Sequence, residues 1–470
     1  MKIRQLAKSI LAVTMIAVLL IAAACSNGNN EASISPSASP APSESPSAAS
    51  TELAASETTP AVEEDRTPVT IKFANWANSE TYTKVMEAFT KKYPWIKVEF
   101  VYTGEKGIKT LMEESVAAGA PIDVFFDGNM DNARNDDLAE PLDAYIANDP
   151  EFQKYNFLPG IMEQFNIKGR QLALPRGTEA FLVYYNKDLL EEYGLEKPSY
   201  DWTWEDLRQM AIQATDPATQ RYGLGGDGIV YIFGSPALPM ANGHAANIYG
   251  LNETLTKSLM DQPEVMDDMQ WFANLIAQDK VLLDKQASEA AGIKEDRWTS
   301  GNALFTIHVS ALMETWDTAL KFNWDVLPIP KGTARQVGLM WNQPLIMTKA
   351  SKHKDAVWKF MSFYTTSPEA QAIFYEKATL LPNTTDADMK TVLSGSAFYD
   401  KYDIDAIMHA VATAVPDPTS YMAGGGAVAG VHNEWAVNKL FNERMSPYDY
   451  FPAAVEKLNK DIAEAQAKFE

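Results

Sequence analysis

The chain has 470 residues and a formal net charge of −22, from 62 acidic and 40 basic side chains. That balance sets aside nucleic acid and anionic lipid surfaces as partners, since both repel an acidic body. With 46% hydrophobic residues there is apolar material for more than one core, and the single cysteine excludes an internal disulfide.

That cysteine, Cys25, closes the first element. Lys2, Arg4 and Lys8 form a positive start, and residues 10–24 are an uncharged apolar run. Such a run reaches about 22 Å as a helix, short of a bilayer core of roughly 30 Å, so residues 1–24 read as a secretory signal. Ala22, Ala23 and Ala24 suit a signal-peptidase pocket, and "IAAAC" resembles a bacterial lipobox. The resemblance implies that Cys25 is lipidated and heads the mature chain, with two or more acyl chains anchoring it stably. Residues 26–67 are rich in Ser, Pro, Ala and Glu and carry almost nothing large and apolar. They cannot offset their ordering entropy by burial, so residues 25–67 read as a lipidated cysteine on a disordered leash reaching about 35 Å. The folded body is expected to start near Pro68. No second apolar stretch has spanning length, so that body is expected to be soluble.

Within the body, "VTIKFA" (69–74) reads as a strand. Tyr82, Val85, Met86 and Phe89 share one helical face, which ends at Tyr93 before Pro94. Residues 96–102 alternate as a second strand, 108–118 are helical, and "PIDVFFDGN" is a buried strand running into a polar loop. "EAFLVYYN" is a strand and "KDLLEEYGL" a helix closed by Gly194. "NALFTI" and "QPLIM" are further strands, and Ala356, Val357, Phe360, Met361 and Tyr364 make a helical stripe. Strand–helix alternation over this length predicts an α/β fold with mainly parallel sheets.

Several motifs carry little. "GLGGDG" (223–228) matches a dinucleotide pattern but leads into "IVYIFGSPALP" rather than a helix, so it reads as a glycine-rich turn bringing Asp227 near a cleft. "DGNMDN" begins like a calcium loop, yet Asn132 and Leu138 stand where the turn glycine and bidentate Glu belong. The five histidines are scattered without metal-ligand spacing, and there is no G-x-S-x-G elbow; no metal or cofactor is expected. "AGGGAVAG" (423–430) reads equally as bare backbone offered to a ligand or as a plain loop.

"RQLALPRGTEAFLVYYNKDLLEEYGL", "DWTWEDL", "WDVLPIPKG" and "KASKHKDAVWKFMSFYTTSPEAQAIF" follow one another in this order. Together they resemble the family 1 extracellular solute-binding proteins, sugar-binding lipoproteins of bacterial ABC importers related to maltose-binding protein. The resemblance covers about 68–470, and "YYNKDLLEEYGL" with "TWEDL" is its most specific part. It implies a two-lobed periplasmic-binding-protein-like fold closing on a sugar at a hinge. Lobe one is expected over 68–178 plus 323–378, and lobe two over 179–322 plus 379–470. The implied protein is a non-catalytic monomer on the outer face of the cell membrane, held there by its lipid alone. Its partners would be a saccharide and the transmembrane subunits of a permease.

A sugar offers C–H faces to aromatic rings and hydroxyl edges to polar groups, at loops on the ends of strands. Strand ends here supply Asn75, Trp76 and Asn78; Asp127 and Asn129; Arg176 and Glu179 where the lobes cross; and Trp341 with Asn342. Most of the 11 Trp, 19 Tyr and 20 Phe must be core, which is the competing reading for each tryptophan. For Glu179 the resemblance adds a ligand role, as the residue four after the loop proline. In "TIHVSALMETW" Ala311 replaces a family tryptophan, leaving His308 or Trp316 to compensate. Two alternatives stay open: a tethered glycoside hydrolase using a pair such as Asp127 and Glu179, or a receptor for another polar solute.

Overall fold

The computed structural model describes residues 66–75, 80–104, 107–128, 130, 138–226, 228–229, 232, 236–376, 380–381, 383 and 389–468. The signal segment, Cys25 and nearly all of the leash lie outside the described residues, as do Trp76, Asn78, Asn129 and Asp227. The body starts slightly earlier than expected, because the Arg66 guanidinium sits over the Trp95 ring at 4.9 Å.

In chain order, β1 (Val69–Asn75) leads to α1 (Glu80–Lys92), β2 (Ile96–Tyr102), α2 (Gly107–Ala117), β3 (Val124–Phe126) and β4 (Leu174–Pro175). The chain then crosses to β5 (Glu179–Asn186), α3 (Lys187–Glu192), α4 (Trp204–Gln213) and β6 (Tyr222–Leu224). After α5 (Pro263–Ala277) come β7 (Ala303–Val309), β8 (Trp324–Leu327) and β9 (Gly338–Trp341). It returns through β10 (Pro344–Met347), α6 (Lys354–Thr366) and α7 (Pro368–Tyr375). A third crossing reaches α8 (Ile404–Thr413), β11 (Ala414–Pro416), α9 (Gly425–Asn433) and α10 (Pro447–Ala467).

Local chemistry fixes several boundaries. Asn186 ends β5 and caps α3, its Oδ1 accepting the Asp188 and Leu189 amides at 3.0 and 3.1 Å. Gly194, at φ 64°, turns the chain out beyond that helix. "TWEDL" is a capping box in which Thr203 and Asp206 each accept the other's backbone N–H.

The strands form two principal sheets. The first runs β2-β1-β3-β10-β4; the second runs β11-β9-β5-β7-β6, with β8 beside β5. Each covers its own core. Phe73, Phe126, Phe360 and Tyr364 pack under the first sheet. In β5, Phe181, Val183 and Tyr185 face one core while Ala180, Leu182 and Tyr184 face another. Burial on both faces explains why "EAFLVYYN" lacks polar alternation.

Two expectations are corrected. The sheets are mixed rather than mainly parallel: β1 pairs in parallel with β2 and β3, but β10 is antiparallel to β3 and β4, and β5 is antiparallel to β7, β8 and β9. Parallel pairs in the first sheet come from one continuous β–α–β run, whereas β10 returns from the other lobe and enters in the opposite sense. The return to lobe one also falls later than residue 323. β8 and β9 line the edge of β5, through Trp324↔Asn186 and Trp341↔Glu179, so the chain leaves the second sheet only after Trp341.

Candidate functional site

The crossings between the sheets meet in one hydrogen-bonded knot. Arg176 N–H donates to the Gln343 carbonyl at 2.9 Å, and Thr178 and Leu381 exchange backbone bonds at 3.2 and 2.8 Å. Asn342 Nδ2 donates to Thr178 Oγ1 at 2.9 Å, and Thr178 Oγ1 to Asn383 Oδ1 at 3.1 Å. Asn342 is buried within this knot. Gly177 is required there: a Cβ would stand 2.5 Å from Leu380 Cδ1.

Beside the knot, lobe one contributes a charged cluster. Arg176 is buried, donates Nη1 to the Tyr82 hydroxyl at 2.9 Å, forms an ion pair with Glu179, and lies 5.3 Å from the Phe126 ring centroid. Burial works against the guanidinium charge, but Tyr82 and Glu179 outweigh it and hold the pKa above its usual value. Asn75, at the buried end of β1, lies against the Tyr82 hydroxyl. Asp127 follows β3 and accepts the Gly128 N–H at 2.7 Å. Glu179 opens β5 and keeps 12% of its side chain exposed.

Lobe two brings an aromatic ring to the same place. Trp341 pairs directly with Glu179 in the β9–β5 register, so both project from one face of the sheet. Phe181, two residues along that face, meets the half-buried Trp341 ring edge-on at 5.0 Å. The Trp341 Nε1–H donates to Asp417 Oδ2 at 3.0 Å. Asp417 arrives beside it because β11 runs parallel to β9, ending with Asp417 N–H on the Met340 carbonyl at 3.0 Å. The same Oδ2 accepts the Tyr249 hydroxyl at 3.1 Å, and Oδ1 accepts the Thr419 amide and hydroxyl at 2.8 and 2.7 Å. Burial pushes the Asp417 carboxyl above its usual range, against the pull of those donors. From the side of the first sheet, Met130 N–H reaches the Ser420 carbonyl, beside the second, at 2.9 Å.

Of the expected residues described, Arg176, Glu179 and Trp341 thus gather at the crossings, while Asn75 and Asp127 mark the neighbouring strand ends. Sequence reasoning missed Tyr82, taken as part of an apolar stripe, and Tyr249. It also missed Asp417, whose signal was "DPTS", an Asx-turn pattern after a short strand. His308 and Trp316, the two candidates to replace the tryptophan missing at Ala311, are both buried. His308 is buried, accepts the Val309 N–H at 2.8 Å and is pushed down to about 4 by burial; Trp316 packs edge-on against Tyr184 at 4.7 Å. In the glycine run near 424, Gly425 is set by packing: a Cβ there would meet the Thr419 carbonyl oxygen at 2.1 Å.

The sequence profile of the family described as bacterial extracellular solute-binding protein matches residues 73–372, well over half of the chain. The chain belongs to that family. Among its relatives is a maltotriose-binding protein of Pyrococcus abyssi, 24% identical over 320 residues. That match spans 63% of this solute-binding protein and 63% of the relative, under two thirds of the relative's length. A periplasmic sn-glycerol-3-phosphate-binding protein of Rhizobium meliloti is 24% identical over 255 residues, 53% of this chain and 58% of that one. The fold matches an ABC substrate-binding protein from Listeria monocytogenes in complex with cycloalternan, with a TM-score of 0.68 and 21% identity. That alignment covers 84% of this solute-binding protein and 99% of the other chain.

Proposed function

We propose that the protein is the exported substrate-binding component of a carbohydrate ABC importer, taking up a mono- or oligosaccharide between its lobes and presenting it to permease subunits. One observation carries the reading: Trp341 and Glu179 stand side by side at the lobe crossing, a ring for a sugar face beside a fixed carboxylate for its hydroxyls. The relatives named for maltotriose and cycloalternan support it. The hydrolase alternative is disfavoured by the commitments of its carboxylates. Glu179 pairs with Arg176 and Asp127 with the Gly128 N–H; binding tolerates both bonds, whereas proton delivery to a glycosidic oxygen needs a carboxyl able to release its partner. The chain would act as a monomer tethered through lipid on Cys25, which supports a further expectation: Cys25→Ala leaves the protein in the soluble fraction or as an uncleaved precursor.

The test is a thermal-shift panel of maltotriose, cycloalternan and sn-glycerol 3-phosphate. A saccharide is expected to raise the melting temperature, by the equivalent of about 2.7 kcal/mol at 100 times its Kd, and to be recovered intact after prolonged incubation. A shift from glycerol phosphate alone would move the protein to the polar-solute alternative. Hydrolysed saccharide, with hydrolysis lost in Glu179→Gln, would make it a hydrolase.

A further inference from the structure

A carboxylate that only caps a turn needs one oxygen. Asp417 meets that need with Oδ1, which accepts both donors of Thr419 at the start of the turn Pro418–Ser420. Asn or Ser would cap that turn about as well. Oδ2 is turned the other way, to the Trp341 indole N–H and the Tyr249 hydroxyl, donors 76 and 168 residues away in sequence. Tyr249 is held at φ 61°, ψ 18°, a left-handed conformation that a non-glycine residue rarely adopts, so its position is imposed by tertiary contacts. The N–H bond to Oδ2 and the perpendicular contact with the Phe181 ring together restrain the plane of the indole. The same turn reaches the opposite lobe. Ser420 donates its hydroxyl to the Asp417 carbonyl at 2.7 Å, and its own carbonyl receives the Met130 N–H at 2.9 Å.

We propose that Asp417 is a positioning residue, whose Oδ2 sets the plane of the Trp341 ring and whose turn links that ring to the contact between the lobes. The proposal rests on the reading that Trp341 faces a saccharide. A path of one turn then runs from ring to far lobe, Trp341–Asp417–Ser420–Met130. It requires a carboxylate: four donors converge on two oxygens, and an amide would present its NH2 to one of the donor pairs.

The experiment uses Asp417→Asn, Trp341→Phe and the double variant, with indole 15N NMR and calorimetry with maltotriose and cycloalternan. The Trp341 indole signal is identified by its absence from Trp341→Phe. In the folded wild type this N–H is expected to exchange at least tenfold more slowly than exposed indoles. In Asp417→Asn it is expected to shift and lose that protection. Saccharide affinity is expected to fall at least tenfold in Asp417→Asn, and the double variant to bind no more weakly than Trp341→Phe alone. A turn cap and nothing more would leave signal and affinity unchanged in Asp417→Asn, and that result overturns the proposal, as do losses that multiply in the double variant. Should Asp417→Asn fail to fold, an unprotected Trp341 N–H in the wild type overturns it equally. If Trp341→Phe binds like the wild type, or neither saccharide binds, the site reading itself falls; Trp341→Phe weakened with Asp417→Asn intact removes only the positioning role.

Discussion

Arg176 and Glu179 show how much of the site depends on one ion pair. The guanidinium is only 4% exposed, and beside Glu179 it meets the Tyr82 hydroxyl and the face of Phe126. Removing one member of a buried pair strands the other charge, at a cost of about 3–5 kcal/mol. Because Glu179 keeps some exposure, the lower end applies. Glu179→Gln is therefore expected to destabilise the ligand-free protein by about 3 kcal/mol in chemical denaturation, with part of the loss recovered in Arg176→Met/Glu179→Gln. A single-variant change within about 0.5 kcal/mol would mean that the pair contributes little to folding. Glu179 in turn has one role in the hinge and a second, proposed, toward ligand, so its variants must be read by stability and affinity together.

The hinge is built from segments too irregular to read in a sequence. Gly177 is the tightest point, with a Cβ falling 2.5 Å from Leu380 Cδ1 and 2.9 Å from Leu380 Cβ. Gly177→Ala is expected to cost about 1–3 kcal/mol through overpacking, and Leu380→Ala in the same chain to relieve it. A neutral Gly177→Ala would show that the crossings have slack. Long apolar or alternating elements were legible: β2 spans 96–102 as its alternation predicts, β5 spans the whole of "EAFLVYYN", and the α6 stripe buries Val357, Phe360, Met361 and Tyr364. Of the candidate site, the sequence showed only the pieces that a strand end announces, and the structure brings two of these, Glu179 and Trp341, into register. The bond from Asn342 to Thr178, 164 residues away, was not legible, because Trp-Asn-Gln carries no sign of so distant a partner. Asp417 was missed because the three residues of β11 carry no periodicity, and only pairing with β9 brings that carboxylate to the indole.

The whole molecule carries a pH dependence set by buried imidazoles. Burial pushes His308 down to about 4 and His432 to about 3, from an unfolded value near 6.5. Depressed histidines bind protons more readily in the unfolded chain, so their contribution is complete above pH 6.5 and is lost as pH falls toward 4 and 3. Asp268, Asp325 and Asp417, all raised by burial, act in the opposite direction and blunt the fall. Unfolding free energy is expected to drop by a few kcal/mol between pH 7 and 4.5. His432 packs against Tyr249 and Phe451 at 5.1 and 5.6 Å, and His432→Phe is expected to flatten the slope by up to about 1.4 kcal/mol per pH unit. An unchanged slope would assign the acid sensitivity elsewhere.

A saccharide held at the lobe crossing against Trp341 makes its binding depend on that ring, so the decisive variant is Trp341→Ala, with calorimetry for maltotriose and cycloalternan beside melting of the ligand-free protein. A stacked ring covers on the order of 100 Å² only when ligand is present, and its loss costs about 2–3 kcal/mol of binding, or roughly 30- to 150-fold in Kd. A fully buried core tryptophan instead costs about 3–5 kcal/mol of folding. Trp341 is half-buried against Phe181, so a drop of a few degrees in the ligand-free melting temperature is expected, together with a collapse of saccharide affinity. A large loss of ligand-free stability, with wild-type affinity in the folded fraction, would place Trp341 in the core and leave no saccharide against it.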